Sequence, residues 1–114
     1  MRAAQGAPPA TAAQAWAAAL GTADSLVAAD PANVTPEVLF LRAYAALSVA
    51  EHRLRAAGVD TTCGLARRAA AAADTAEVSL PKSIRFSTRW IDSLYARLNL
   101  AAPQAHRLVR ARCG

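Results

Sequence analysis

LYARLNLAAPQAHRLVRARCG, the last twenty-one residues from Leu94 to Gly114, holds the reading on which the number of helices turns. Leu94 and Leu98 are spaced as one face of a helix that closes in Arg-Leu-Asn-Leu. Ala101-Ala102-Pro103 then offers a turn, because the residue before a proline is pushed out of the α region. Ala105, Val109 and Cys113 would form the inward stripe of a further, arginine-rich helix from about Pro103 to Arg112. Read this way, the chain ends in a helical hairpin.

Working back from that hairpin, a fourth helix is predicted from Ser79-Leu80-Pro81 to about Leu98. Ile84, Ile91, Leu94, Tyr95 and Leu98 line one side, and Phe86 and Trp90 widen it. Lys82, Arg85, Arg89 and Arg97 lie opposite. A third helix, about residues 62–76, is capped by Asp60-Thr61-Thr62 and carries Leu65 as its one large apolar side chain. The second opens at Thr35-Pro36-Glu37, with a hydroxyl cap, a first-turn proline and an acid at the positive end of the dipole. It runs to Ala57, with Gly58 as its stop. Phe40, Tyr44 and Leu47 form its buried face, and Glu51 and Arg55 form an i, i+4 pair on its wet side. The first, from Pro9 or Thr11 to Ala29, faces inward through Trp16, Leu20, Ala23 and Val27. No alternating strand pattern occurs. The expected fold is all-α: a flexible segment 1–10, then one helical domain, 11–114, built as a single bundle or stacked hairpins of four to five helices.

The bulk numbers agree with one small core. Of 114 residues, 54% are hydrophobic, but 32 of them are alanines that let helices approach closely. No stretch reaches the ~20 apolar residues of a membrane span, so the chain reads as soluble. Gln5, Gly6, Pro8 and Pro9 interrupt any apolar leader core, and the same residues read equally as the mature start of an exported protein. Net charge is +5, and it is uneven: residues 1–60 hold four arginines against five acids, while 61–114 hold eight arginines and Lys82 against three. A basic half suits an anionic partner, although an arginine-rich, alanine-rich composition has the same look without any function. Cys63 and Cys113 are candidates for a disulfide, which would place the protein in the periplasm or outside the cell. As free thiols they would fit the cytoplasm, and their spacing decides neither.

Three resemblances bear on function. The stretch "LVAADPANVTPEVLFLRAYAAL" resembles tetratricopeptide repeats through Asp30-Pro31 and Leu41, Ala43 and Tyr44. It stops after some twenty residues, with no second Asp-Pro about 34 residues on. The C-terminal hairpin, 94–112, resembles a helix-turn-helix in outline. Asn99 would stand at the turn and Leu100 would be buried there. Gln104, His106, Arg107, Arg110 and Arg112 would face DNA. Tyr95 and Ala105 depart from that motif, since it favours a small residue at the first position and Val or Ile at the second. "RWIDSLYARL" is similar to the last helix of secreted, all-helical chorismate mutases. That resemblance implies an arginine-lined anion pocket, for which this chain offers a single lysine, Lys82.

Catalytic signals are few. His52 and Glu51 are helix neighbours pointing about 100° apart, and His106 and Cys113 are two turns apart, too far for a metal clip that wants i, i+4. No metal and no cofactor are therefore expected, and enzymatic activity is disfavoured. The leading expectation is a non-enzymatic interaction module. Its basic C-terminal face, with Lys82, Arg85, Arg89, Arg107 and Arg110, would dock an acidic protein or other anionic ligand. Exposure of Phe86 or Trp90 would point to a protein-binding groove. The alternatives are DNA binding through 94–112 and a small helical enzyme with an arginine-lined pocket. The oligomeric state has no signature.

Overall fold

The structure, a computed structural model, describes residues 9–85 and 89–114, with the side chains of 9–11 left aside. Four long helices account for most of it: α1 (Pro9–Ala29), α2 (Pro36–Ala56), α3 (Cys63–Ser79) and α4 (Ile91–Cys113), with 3-10 turns at Pro31–Asn33 and Pro81–Ser83. The fold is all-α, with no strand among the described residues. The loose segment expected at 1–10 lies outside them, except for Pro9 and Ala10, which belong to α1.

The helix starts follow local chemistry. The Thr35 hydroxyl accepts from the Val38 amide at 3.3 Å, and Pro36 occupies the first turn of α2. The Thr62 hydroxyl accepts from the Leu65 amide at 3.3 Å, while the Thr62 amide donates to the Asp60 carboxylate at 2.9 Å. Each cap satisfies an amide that the helix itself leaves open and contributes about 1 kcal/mol.

α2 is the central element. Ala43 and the run Ala45, Ala46, Leu47, Ser48, Val49 and Ala50 are all buried, because α1, α3 and α4 each pack on it. The alanines of α3 (Ala66, Ala69, Ala70, Ala72, Ala73 and Ala76) are buried as well, so α2 and α3 meet over short side chains. Successive helices run antiparallel: Asp24 meets Arg42, Arg53 meets Arg68, and Asp74 meets His106. α1 packs on α2, and among the described residues its backbone stays away from that of α4, although Leu20 packs against the core cluster that Ile91, Leu94 and Leu98 share with α2. A groove therefore opens between α1 and α4, with α2 as its floor.

Two sequence expectations are corrected here. α4 is one continuous helix through Pro103, so the turn expected at Ala101–Pro103 and the hairpin 94–112 are absent. The reason is non-local. Ile91, Leu94, Leu98, Ala101 and Ala105 form an unbroken buried stripe across the proline. Continuing the helix keeps Ala105 and Val109 against the α3 alanines and brings Cys113 to Cys63, against a cost of about 3 kcal/mol for one interior proline. The second correction concerns the start of this helix, which is at Ile91 and not near Pro81. Pro81–Ser83 forms only a 3-10 turn, pinned by the buried Ser83 hydroxyl donating to the Leu80 carbonyl at 2.7 Å. Ile84, placed on the buried face by its spacing, is 44% exposed.

Continuity through Pro103 has a direct test. Pro103 is exposed, so Pro103→Ala removes no packing and restores a donor for the Asn99 carbonyl. The variant is expected to be more stable by about 1–2 kcal/mol, the gain being trimmed by the freer unfolded chain. Urea unfolding followed by circular dichroism measures it, and an unchanged midpoint would mean that the helix breaks there.

Candidate functional site

The five cations assigned to one basic face do not share one. Lys82 sits in the 3-10 turn, while Arg85 and Arg89 lie in turns outside any long helix, so the helical strip expected for them does not exist. Arg107 and Arg110 are exposed on α4, and about 24 Å of helix separates Ile91 from Arg107. The expected face is therefore split between two ends of the molecule. At the first end the Arg89 guanidinium lies 5.4 Å over the Trp90 ring, and Trp90 is 55% exposed. Phe86 lies outside the described residues.

The second end is organised by Cys63 and Cys113, which are joined by a disulfide across 50 residues of chain. In the chain-entropy account a loop of that size is worth about 4 kcal/mol. Arg112 reinforces the closure by donating to the Ala57 carbonyl at 2.9 Å and the Asp60 carbonyl at 3.1 Å. It thereby places a cation at the negative C-terminal end of α2. Arg53 donates to the Arg68 carbonyl at 2.8 Å, and burial together with the nearby Arg68 charge lowers its pKa. The same closure gathers cations that have no such duty. Arg67 is one turn beyond Cys63, Arg110 is one turn before Cys113, and Arg107 lies one turn further back. All three are exposed, and no ion pair among the described residues engages them.

His106 meets Asp74 at 2.9 Å on the α3–α4 seam instead of facing outward as a base-reading residue. Leu100, the buried turn residue of the expected hairpin, is 76% exposed. Among the described residues no cluster of three or more His, Cys, Asp or Glu could hold a metal ion. No described helix is long and apolar enough to cross a membrane.

The groove between α1 and α4 was not anticipated. Its aromatic half, about 460 Å³, is lined by Trp16, Tyr44, Ser48, Glu51, His52 and Arg55, closed off by Arg97 from α4. A second hollow of about 320 Å³ continues past Glu51, Arg55 and Arg97 to Leu54, Leu100 and Gln104. The divide between them is an ion pair: Arg97 Nε donates to Glu51 Oε2 at 3.1 Å and Nη2 donates to Oε1. Arg97 also reaches the Ser48 hydroxyl at 3.4 Å and lies 5.3 Å over the Tyr44 ring. Glu51 raises the Arg97 pKa through its hydrogen bond and outweighs the cost of burial. Two readings from the sequence are thereby corrected. Arg97 is half-buried and not solvated, and Glu51 pairs across helices and not with Arg55, which stays exposed. The partners are separated by 46 residues, and helical spacing carries no signal for such a pair.

Comparison of the chain with protein-family models, curated proteins and solved structures finds no match.

Two measurements probe this architecture. A double-mutant cycle of Glu51→Gln and Arg97→Met should give a coupling of about 1–2 kcal/mol, above that of an exposed pair because both side chains are less than one-third exposed. Asp60 gives a pH signature. Its pKa is lowered by the Thr62 backbone and side-chain hydrogen bonds, with Arg68 and Arg112 adding to this. A depressed carboxylate adds stability above its unfolded pKa, near 4, and loses it as pH falls through the folded value. The stability difference between the parent and Asp60→Asn should accordingly be present at neutral pH and vanish once the pH has fallen below the depressed folded value. Acid unfolding curves of the two proteins measure it, and curves that stay parallel throughout the acid range would remove Asp60 from the account.

Proposed function

We propose that this protein is a non-enzymatic interaction module that docks an acidic protein partner through the arginines gathered at its disulfide-bonded end. The observation that carries this reading is the trio Arg67, Arg107 and Arg110, exposed and outside every ion pair among the described residues. Lone guanidinium groups cost little to desolvate and present planar forks suited to carboxylates. The rigid base beneath them, one disulfide and the Arg112 contacts, reduces the ordering cost of binding. The bridge suits an oxidising compartment, periplasmic or extracellular. Loss of the hairpin removes the geometry on which major-groove reading through 94–112 rested.

The test is fluorescence anisotropy of a labelled, Asp/Glu-rich peptide titrated with the oxidised protein at several salt concentrations. Binding is expected to weaken steadily with salt and to be lost in the triple variant Arg67→Glu, Arg107→Glu, Arg110→Glu. It should survive Lys82→Glu with Arg85→Glu at the other end. Absence of binding at low salt would overturn the proposal. A random duplex bound instead, with a log–log salt slope of about −0.9 per phosphate contact, would transfer the same residues to nucleic acid.

A further inference from the structure

The groove between α1 and α4 differs from the basic end in one chemical respect: it combines an unpaired cation with aromatic walls. Glu51 and Arg97 neutralise each other across it, so neither supplies net charge to a ligand. Arg55, one turn beyond Glu51 on α2, lines both hollows and has no ion pair among the described residues. Trp16 and Tyr44 are tilted against each other with ring centroids 5.1 Å apart, and both border the 460 Å³ half. His52 lines that half as well. A volume of this order lies in the usual range for small-molecule sites, about 300–1,000 Å³, and a few polar groups on an apolar lining is their usual make-up.

We infer that this groove binds a small aromatic monocarboxylate. Its carboxylate would pair with Arg55 and its ring would lie along Trp16 and Tyr44. One free guanidinium matches one carboxylate, whose two oxygens fit the fork. A phosphate or a dicarboxylate is disfavoured, because the second charge would meet the Glu51 carboxylate without a second free cation in the wall. An organic cation is disfavoured by Arg55 itself. A purely aliphatic acid would gain the ion pair but forgo the ring contacts, which are worth most against Trp and Tyr. The Glu51–Arg97 pair acts here as a positioning element: it holds α4 against α2 and fixes the distance between the aromatic half and Leu100. This site is independent of Arg67, Arg107 and Arg110.

Benzoate is the simplest probe. In ¹H–¹⁵N spectra of the disulfide-intact protein, the Trp16 indole N–H is expected to shift saturably, with a Kd of about 1 mM given the probe's size. The exposed Trp90 indole serves as an internal control and should not move. Arg55→Gln, at an exposed position, leaves the fold intact by circular dichroism and should weaken binding at least tenfold. Acetate and benzyl alcohol, each carrying half of the recognised chemistry, should also bind at least tenfold more weakly. Three results would each overturn the inference: a shift that stays linear in benzoate, unchanged affinity in Arg55→Gln, or equal displacement by inorganic phosphate. The last would reveal a general anion site.

Discussion

The structure rests on the close approach that alanine permits around α2. From Ala43 to Ala50 this helix turns one short side chain after another toward its neighbours, and it is buried nearly all round. Surface helices usually keep a wet face. Here three helices claim the available faces, so Leu47, Val49 and Ser48 are covered together with the alanines. A methyl group buries little area on its own, but it lets backbones come near enough for dispersion to act over many atoms at once. The same logic accounts for α3, where Leu65 and six alanines suffice because Leu54, Val109 and Trp16 project into the space that the alanines leave.

That arrangement sets where the molecule is concave. Once α3 and α4 occupy one side of α2, α1 is left with the remaining flank, held by the Trp16–Tyr44 contact and by Arg42 on Asp24 at 2.8 Å. Where the backbones of α1 and α4 stand apart, α2 forms the floor between them, and polar chemistry ties α4 to that floor. Arg97 reaches from α4 onto α2 with a long stem and a charged head, and Glu51, Ser48 and Tyr44 receive that head. Apolar closure of the same gap would have left no groove.

Local grammar was legible in the sequence, and long-range choices were not. Thr35 with Pro36, and Asp60 with Thr62, mark helix starts through contacts within three residues, and the structure places α2 and α3 there. Pro103 reads as a turn and a new helix start, yet the local penalty it carries is outweighed in a helix whose buried stripe runs from Ile91 to Ala105. At Lys82, Arg85 and Arg89 the reverse happened: an amphipathic spacing runs through positions that the structure places in turns, so periodicity suggested a helical strip that these residues do not form. Glu51 had a fitting partner four residues away and took another 46 residues away, because the interhelical site is drier and offers a hydroxyl and a ring besides the charge. The spacing of Cys63 and Cys113 was silent on their pairing; only the antiparallel return of α4 along α3 brings them together.

The excess of arginine resolves into distinct duties once each is placed. Arg112 satisfies carbonyls at the end of α2, Arg97 bridges helices, Arg53 crosses to the α3 backbone, and Arg42 pairs with α1. Two of them, Arg112 and Arg97, use more than one nitrogen of the guanidinium, a geometry that lysine cannot offer. Composition alone would scatter arginines over the surface without regard to partners. Here the cations with structural work sit at helix junctions, whereas Arg55, Arg67, Arg107 and Arg110 stand outside every ion pair among the described residues. Those four also fall in two places with different surroundings. Arg55 lines a hollow together with Trp16 and Tyr44, while the other three are exposed on the turns of α3 and α4 next to the disulfide. On the two proposals made above, one ligand would not serve both settings: the groove would take a small ring-bearing acid, and the exposed trio an extended acidic surface.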